Sequence, residues 1–435
     1  MLNKDVQISI KIGIISTNSA FHNMQQQKQF GLFSLPVIVG ALGFFVDIYD
    51  LLLFSIVRIG SLRDLGADEN SIKTIGESIV SWQMIGLTVG GILWGIMGDK
   101  RGRKSVLFGS IVLYSLATIA NGFVQTIDQY LWLRFIAGLG LAGELGASIT
   151  LTSELLPKEK RGLASTIIAT SGVLGTITAY MVYDLTDENW RLCYFIGGGM
   201  GFALLMLRVG VLESSLYDSA RKGETQFGNF LMFFTSRERF LRYLRGILIG
   251  LPVWYTIGLL VSFSDEFARQ FGIKDFNQPK ALMLQYVALV FGDVSSGLVS
   301  HWLKSRKKTL LIYYSIIATF IFLFFAWRGG GSAFNLYLIC MGLGVGSGLS
   351  VMYITMSAEQ FGTNLRATAA ISIPNLVRGF LPLMLLLFQW LRSENILNDY
   401  VTAAWVTGAV VMVSGFLSVL YTKETFAKDL DYIEQ

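Results

Sequence analysis

The sequence predicts an all-α membrane protein of twelve transmembrane helices, arranged as two six-helix halves. Three observations carry that prediction. The 435 residues are 53% hydrophobic and 15% charged, with a mean hydropathy of +0.54, whereas an average soluble chain is about 25% charged. The apolar residues fall into twelve stretches, each long enough to cross a bilayer as a helix. The two halves also repeat each other's landmarks. This composition excludes a disordered chain, a nucleic-acid module and an ordinary soluble enzyme. The net charge of +5 sits in short basic clusters between apolar runs, as membrane proteins carry it. Cys193 and Cys340 both lie inside apolar runs, and the only histidines are His22 and His301. Neither pair supports a disulfide framework or a metal site, and no metal or other cofactor is expected.

Taken in order, residues 1–33 are polar, with Gln25, Gln26 and Gln27 in a run. They lack the apolar core and cleavage site of a signal peptide and read as a cytoplasmic tail. The stretches follow at 34–58, 75–98, 105–124, 129–153, 162–184, 190–212, 244–265, 280–302, 308–327, 333–357, 368–391 and 400–421. Each is expected to be helical, because lipid offers the backbone no hydrogen-bond partners. The longest break, 213–243, holds Arg221, Lys222, Arg237, Arg239 and Arg242. It reads as a cytoplasmic linker between an N-terminal bundle, 34–212, and a C-terminal bundle, 244–421. A second tail covers 422–435.

Orientation follows from Lys and Arg asymmetry. One set of loops carries Lys100, Arg101, Arg103 and Lys104, then Lys158, Lys160 and Arg161, then Lys304, Arg306, Lys307 and Lys308. The opposite set carries Asp128, Asp184, Asp187 and Glu188. The basic loops are expected inside, with both termini. The halves echo each other at the fourth stretch of each. Glu154 is followed seven residues on by Arg161, and Glu359 seven residues on by Arg366. Gly138, Gly140, Gly143 and Gly146 precede the first pair; Gly342, Gly344, Gly346 and Gly348 precede the second. Such glycines let helix backbones approach closely, and a six-plus-six repeat is the pattern of parallel-repeat transporters.

The sharpest motif lies between the second and third stretches: Gly86, then Gly95-Ile-Met-Gly-Asp99-Lys-Arg-Gly102-Arg103-Lys104. Its bland reading is a positive-inside loop with a turn. Its spacing resembles the signature loop of the major facilitator superfamily. The resemblance implies the major facilitator fold and a latch that closes the cytoplasmic side when the cavity faces outward. Gly95, Asp99, Gly102 and Arg103 would form that latch with Glu154 and Arg161. The second-half copy is degraded to Gly297, then His301 where the aspartate belongs, then Arg306-Lys307-Lys308. The run Arg134-Phe-Ile-Ala-Gly138-Leu-Gly140-Leu-Ala-Gly143-Glu144 resembles the fourth helix of sugar porters. It is more similar to that of metabolite–proton and sialic-acid–proton symporters. Asp47-Ile-Tyr49-Asp50 and the tail from Glu424 resemble the metabolite, phosphate and aromatic-acid symporters. Glu213-Ser-Ser recurs there as Glu-Ser-Pro, without the proline here.

Ionisable groups at membrane depth cost at least about 2.5–3.5 kcal/mol and are functional candidates. Asp47 and Asp50 share a helix face by their spacing of three, so they read as a carboxylate pair in which one carries a labile proton. The alternative is a permanent structural pair of Asp50 with Arg134, which the family resemblance places opposite it. Glu144 is a second proton site, a site for a substrate cation, or a group bonded to a neighbouring helix. Arg378, beside Pro374 and Gly379 in an expected broken helix, offers a planar fork for carboxylate or phosphate. Its alternative is a charge pair with Asp293. Asn375, Gln285 and Gln83 are amides at depth, and Tyr255, Tyr353, Tyr286 and Trp254 are aromatics that could line a pocket or simply pack. Arg58, Glu77, Asp265 and Arg328 fall at the outer ends and need only be solvated.

These readings point to a secondary active transporter, a proton symporter of a small organic solute, anionic by Arg378. Its partners would be that small molecule, protons and the lipid bilayer, with no nucleic acid, and it would act as a monomer. The alternatives are a proton-antiport exporter of a metabolite, siderophore or drug, and a non-transporting membrane sensor. No nucleotide loop appears, and no intramembrane histidine supports a hydrolase. The topology and the lack of Asn-X-Ser/Thr sequons fit a bacterial inner membrane.

Overall fold

The computed structural model describes residues 35–101, 103–155, 158–212 and 230–426. Gly102, the segments 1–34, 213–229 and 427–435, and the surroundings of Gly95, Asp99, Arg103, Glu144, Glu154 and Arg161 lie outside the described residues. The described residues hold no strand. In the first half they form α1 (Leu35–Asp64), α2 (Ile72–Arg101), α3 (Arg103–Asn121), α4 (Ile127–Leu155), α5 (Lys158–Leu185) and α6 (Trp190–Leu212). After a 3-10 turn, Phe230–Phe234, come α7 (Arg237–Tyr255), the short α8 (Ser264–Gln270), α9 (Gln278–Leu303) and α10 (Arg306–Ala326). The chain ends with α11 (Ala333–Ser347), α12 (Leu349–Glu359), α13 (Thr363–Gly379), α14 (Leu381–Leu391) and α15 (Tyr400–Tyr421). Eight described helical segments are long and apolar enough to cross a membrane.

Three expected single helices are interrupted. The seventh stretch runs from α7 into a π-helical turn, Thr256–Val261; such turns concentrate at functional sites. The tenth bends at Gly348, between α11 and α12. The eleventh breaks between Gly379 and Leu381, where Pro382 in the first turn of α14 has no N–H to donate back. The expected linker is shorter than 213–243, because α7 already begins at Arg237.

Packing repeats between the halves. α2 meets α4 through glycines: a Cβ on Gly138 would stand 2.1 Å from the Gln83 carbonyl oxygen, and one on Gly86 2.1 Å from that of Phe135. α9 meets α11 in the same way, with Gly344 at 2.2 Å from the Gln285 carbonyl oxygen and Gly292 at 2.3 Å from that of Val345. The second and fourth stretches of each half thus touch backbone to backbone. The halves join where α5 and α1 pack on α9, and where α13 packs on α2. There a Cβ on Gly379 would lie 2.2 Å from Thr88 Oγ1.

Past α15, Glu424 ties the chain to the start of α10. It accepts from Ser305 Oγ, from Arg306 N at 2.9 Å and from Lys307 N at 3.2 Å. A carboxylate at a helix N-terminus also meets the positive end of the helix dipole. Burial opposes the Glu424 charge, but bonds from Ser305, Phe426, Arg306 and Thr425 outweigh it and hold its carboxyl below the ordinary carboxylate range. The tether is therefore present above that range and lost as pH falls through the lowered value. Amide protection at 422–426, relative to the intrinsic exchange rate at each pH, should be high at neutral pH and fall only in acid; in Glu424→Gln it should be low throughout. In the core, Gly138→Val or Gly344→Val should cost about 1–3 kcal/mol or prevent folding, because the obstruction is backbone. Gly91→Ala, with nothing near its Cβ position, should leave the thermal midpoint unchanged.

Candidate functional site

The first half is centred on a closed ion pair. Arg134 Nη1 and Nη2 donate to the two carboxylate oxygens of Asp50, each at 3.3 Å, and Nη2 also donates to the Asp50 carbonyl oxygen at 3.0 Å. Thr118 Oγ1 donates to Asp50 at 2.8 Å. The guanidinium carbon lies 5.6 Å from the Tyr194 ring centre, and Tyr194 and Tyr130 share a hydroxyl contact of 2.5 Å. Both charges are almost wholly buried. This pair fastens α1 to α4 with two donors on one acceptor group, a geometry that favours a fixed carboxylate.

Asp47 lies one turn earlier on α1 and is also buried, but its surroundings differ. Its charge reaches Arg378 of α13, across the boundary between the halves. The shared helix face therefore does not make Asp47 and Asp50 an isolated pair around one arginine: two arginines serve them, one in each half. The Arg378 guanidinium carbon lies 5.4 Å from the Trp254 ring centre, and its field reaches the phenols of Tyr353 and Tyr286. Among the described residues no carboxylate lies within ion-pair distance of Arg378. Asn375, one turn before Arg378, and Gln285, beside Tyr286, each carry a buried carbonyl oxygen that accepts no hydrogen bond. The Gln285 amide nitrogen reaches only Thr256 Oγ1, at 3.5 Å. A guanidinium without a carboxylate in contact among the described residues, beside aromatic faces and unsatisfied amides, has the donor fork free for a planar anion.

Several sequence readings need correction. The Asp293–Arg378 pair is not formed; Asp293 instead accepts from Ser350 Oγ at 2.6 Å, because Ser350 on α12 is nearer than α13. Tyr255 is a tie between helices, its hydroxyl donating to the Ala404 carbonyl oxygen of α15 at 2.7 Å. Gln83 likewise ties α2 to α1, donating to the Leu51 carbonyl oxygen at 3.3 Å. Of the aromatics, Trp254 stacks near Arg378 and the phenols of Tyr353 and Tyr286 lie within reach of its charge; Asn375 lies one turn before it on α13, and Gln285 turns its amide to Thr256.

Arg58, Glu77 and Asp265 are not merely solvated. Arg58 on α1 pairs with Asp265 on α8, both buried, beneath the Phe263 ring at 4.6 Å. Glu77 on α2, fully buried, accepts from Arg392 Nη1 at 2.6 Å, Arg392 Nη2 at 2.8 Å and Gln389 Nε2 at 2.9 Å. Both clusters join the halves at the same end of the molecule. The signal for them was present: buried depth favours charges that occur in opposite pairs. Their partners lie 207 and 315 residues away in sequence, beyond any local pattern. At the opposite end Arg306 pairs with Glu359 at 3.2 Å, and Thr425 Oγ1 donates to Glu359 at 2.6 Å. The degraded second motif thus still fastens α10 to α12, through its arginine rather than an aspartate.

Residues 30–381 match the family model described as Major Facilitator Superfamily. The chain belongs to this superfamily. It is an integral, multi-pass membrane transporter and not an enzyme. Among solved structures it is similar to the inward open conformation of the xylose transporter XylE from E. coli, with a TM-score of 0.68 and 16% identity. That likeness covers 92% of this chain and 98% of the other, and shows the fold. The chain is 24% identical to the cis,cis-muconate transport protein of Acinetobacter baylyi, over 88% of this chain and 92% of that one. It is 25% identical to the gentisate transporter of Corynebacterium glutamicum, over 77% and 75%. A higher identity, 32%, is local: it spans 42% of this chain and 44% of a Haemophilus influenzae relative named for metabolite transport.

Removing one partner of a buried ion pair strands the other, at about 3–5 kcal/mol. Arg58→Ala should therefore lower the thermal midpoint more than the double variant Arg58→Ala with Asp265→Ala. Melting curves of the purified single and double variants check this.

Proposed function

We propose that this transporter is a proton-coupled symporter of a small, flat organic anion in a bacterial inner membrane. The single observation that supports it most is the guanidinium of Arg378, which has aromatic faces around it and, among the described residues, no carboxylate in contact. The relatives named for gentisate and muconate carry acids of that class. On this reading Arg378 receives the carboxylate, Trp254, Tyr286 and Tyr353 line its ring, and Asn375 and Gln285 accept any donors on it. Twelve helices cross the membrane with both termini cytoplasmic, and one chain suffices as the working unit.

Coupling follows from the Asp47–Arg378 interaction across the halves. An ionised Asp47 competes with the substrate for the field of Arg378. A proton on Asp47 removes that competition and strengthens anion binding, and by linkage the bound anion strengthens proton binding. Asp50 is paired with Arg134 and holds α1 in place. Glu144 remains a second candidate on the same half. Alternating access requires the Arg58–Asp265 and Glu77–Arg392 contacts to part when their end opens. The loop of Gly95, Asp99, Gly102 and Arg103, with Glu154 and Arg161, is the corresponding latch at the cytoplasmic end.

In reconstituted vesicles Arg378→Ala should lose benzoate binding by tenfold or more, the worth of a charge-assisted hydrogen bond of about 1.5–3 kcal/mol. Arg378→Lys should rescue it poorly, having the charge without the fork. Asp47→Asn should keep counterflow of the anion but lose accumulation driven by a pH gradient. Normal binding in Arg378→Ala contradicts the anion site; full accumulation in Asp47→Asn moves the coupling to another acid.

A further inference from the structure

We infer that Asp293 selects the far end of the substrate, so that the preferred ligand is a monocarboxylate bearing a hydrogen-bond donor opposite its carboxylate. This inference rests on the anion reading of Arg378. The placement of Asp293 on α9 carries it. Phe291, Val294, Leu298 and Trp302 are exposed and form one row of α9, the side that faces lipid. Asp293 belongs to the opposite side, seven residues along from Tyr286, and residues seven apart share a face. Tyr286 is one of the phenols that the Arg378 charge reaches. Seven residues of helix rise about 10.5 Å. Asp293 therefore leaves α9 about two turns along from Tyr286, on the same face. An aromatic ring with a carboxylate at one end and a hydroxyl at the other is of that length once a hydrogen bond is added at each end.

The chemistry of Asp293 defines what can meet it. The phenol of Tyr353 is reached by the charges of both Arg378 and Asp293, so both lie within electrostatic range of one aromatic residue. Asp293 is half-buried rather than sealed. Its described polar contacts are Ser350 Oγ at 2.6 Å and the backbone of Val351. Among the described residues no lysine or arginine lies within ion-pair distance of it. An ionised carboxylate is acceptor-only and has about four lone-pair sites, so two neutral donors leave capacity for a third. A substrate hydroxyl or N–H fills it. A second carboxylate on the substrate is repelled.

The test compares three probes by thermal shift and by competition with radiolabelled benzoate: benzoate, 4-hydroxybenzoate and cis,cis-muconate. The native protein should prefer 4-hydroxybenzoate to benzoate by about tenfold or more, and bind muconate weakly. In Asp293→Asn the affinity ratio of 4-hydroxybenzoate to benzoate should fall severalfold and muconate should gain. Should Asp293→Asn fail to fold, Ser350→Ala serves, since it loosens the carboxylate and should reduce the same ratio. A ratio unchanged in the variant that folds, or equal binding of the first two acids by the native protein, overturns the role of Asp293 and leaves the anion reading standing. A native protein that binds none of the three, with Arg378→Ala indistinguishable from it, overturns the anion reading and this inference together.

Discussion

A charge inside hydrocarbon must have a partner, and this requirement organises the molecule. Asp50 and Arg134 satisfy each other inside the first half. Arg58 with Asp265 and Glu77 with Arg392 satisfy each other between the halves. Arg306 and Glu359 do so at the opposite end of the second half. Each pair sits where two helices must stay in register. Beyond these pairs, the described residues at depth include Arg378 and Asp293, which have no opposite charge in contact, and Asp47, whose charge reaches Arg378. Desolvated ions are too costly to keep without a use, and the charges of Arg378 and Asp293 both reach the Tyr353 phenol. The proposed transport chemistry uses this residual charge rather than the paired charge.

The two kinds of pair have different consequences. A pair within one half, such as Asp50–Arg134, moves with its half and survives a rocking motion. A pair across the boundary must break in one of two states and reform in the other. The Arg58 and Glu77 clusters are of the second kind, and their burial makes each state discrete rather than graded. The Asp47–Arg378 interaction also crosses the boundary, but it is longer in range and can be exchanged for a substrate or relieved by a proton. On the proposed reading, the same geometry that joins the halves gives the ligand and the proton a common point of action.

Much of this was legible in the sequence, and the remainder was not for physical reasons. The apolar stretches report helices because lipid forces internal hydrogen bonding. The glycine runs at Gly138 and Gly344 report close backbone contact because little else tolerates it. The Asp50–Arg134 pair came from family resemblance. The partners of Arg58, Glu77 and Tyr255 depended on how distant helices cross, which no local spacing encodes. Asp293 was recognised as a buried charge, yet its bond to Ser350, 57 residues away, depends on the bend at Gly348. A break was expected from Pro374 and Gly379, but Pro374 lies inside α13 and the interruption falls after Gly379, before Pro382; the π-helical turn at Thr256–Val261 left no compositional mark.

The central claim is that an organic anion and a proton enter together because both act at Arg378. Proton flux on substrate addition tests it most directly. Vesicles containing the native protein are suspended in lightly buffered medium, and the external pH is followed as benzoate or 4-hydroxybenzoate is added without any imposed gradient. The account predicts alkalinisation outside, dependent on Arg378. Acidification would mean exchange of proton for anion, and anion entry with no pH change would mean uncoupled transport; either result contradicts the account.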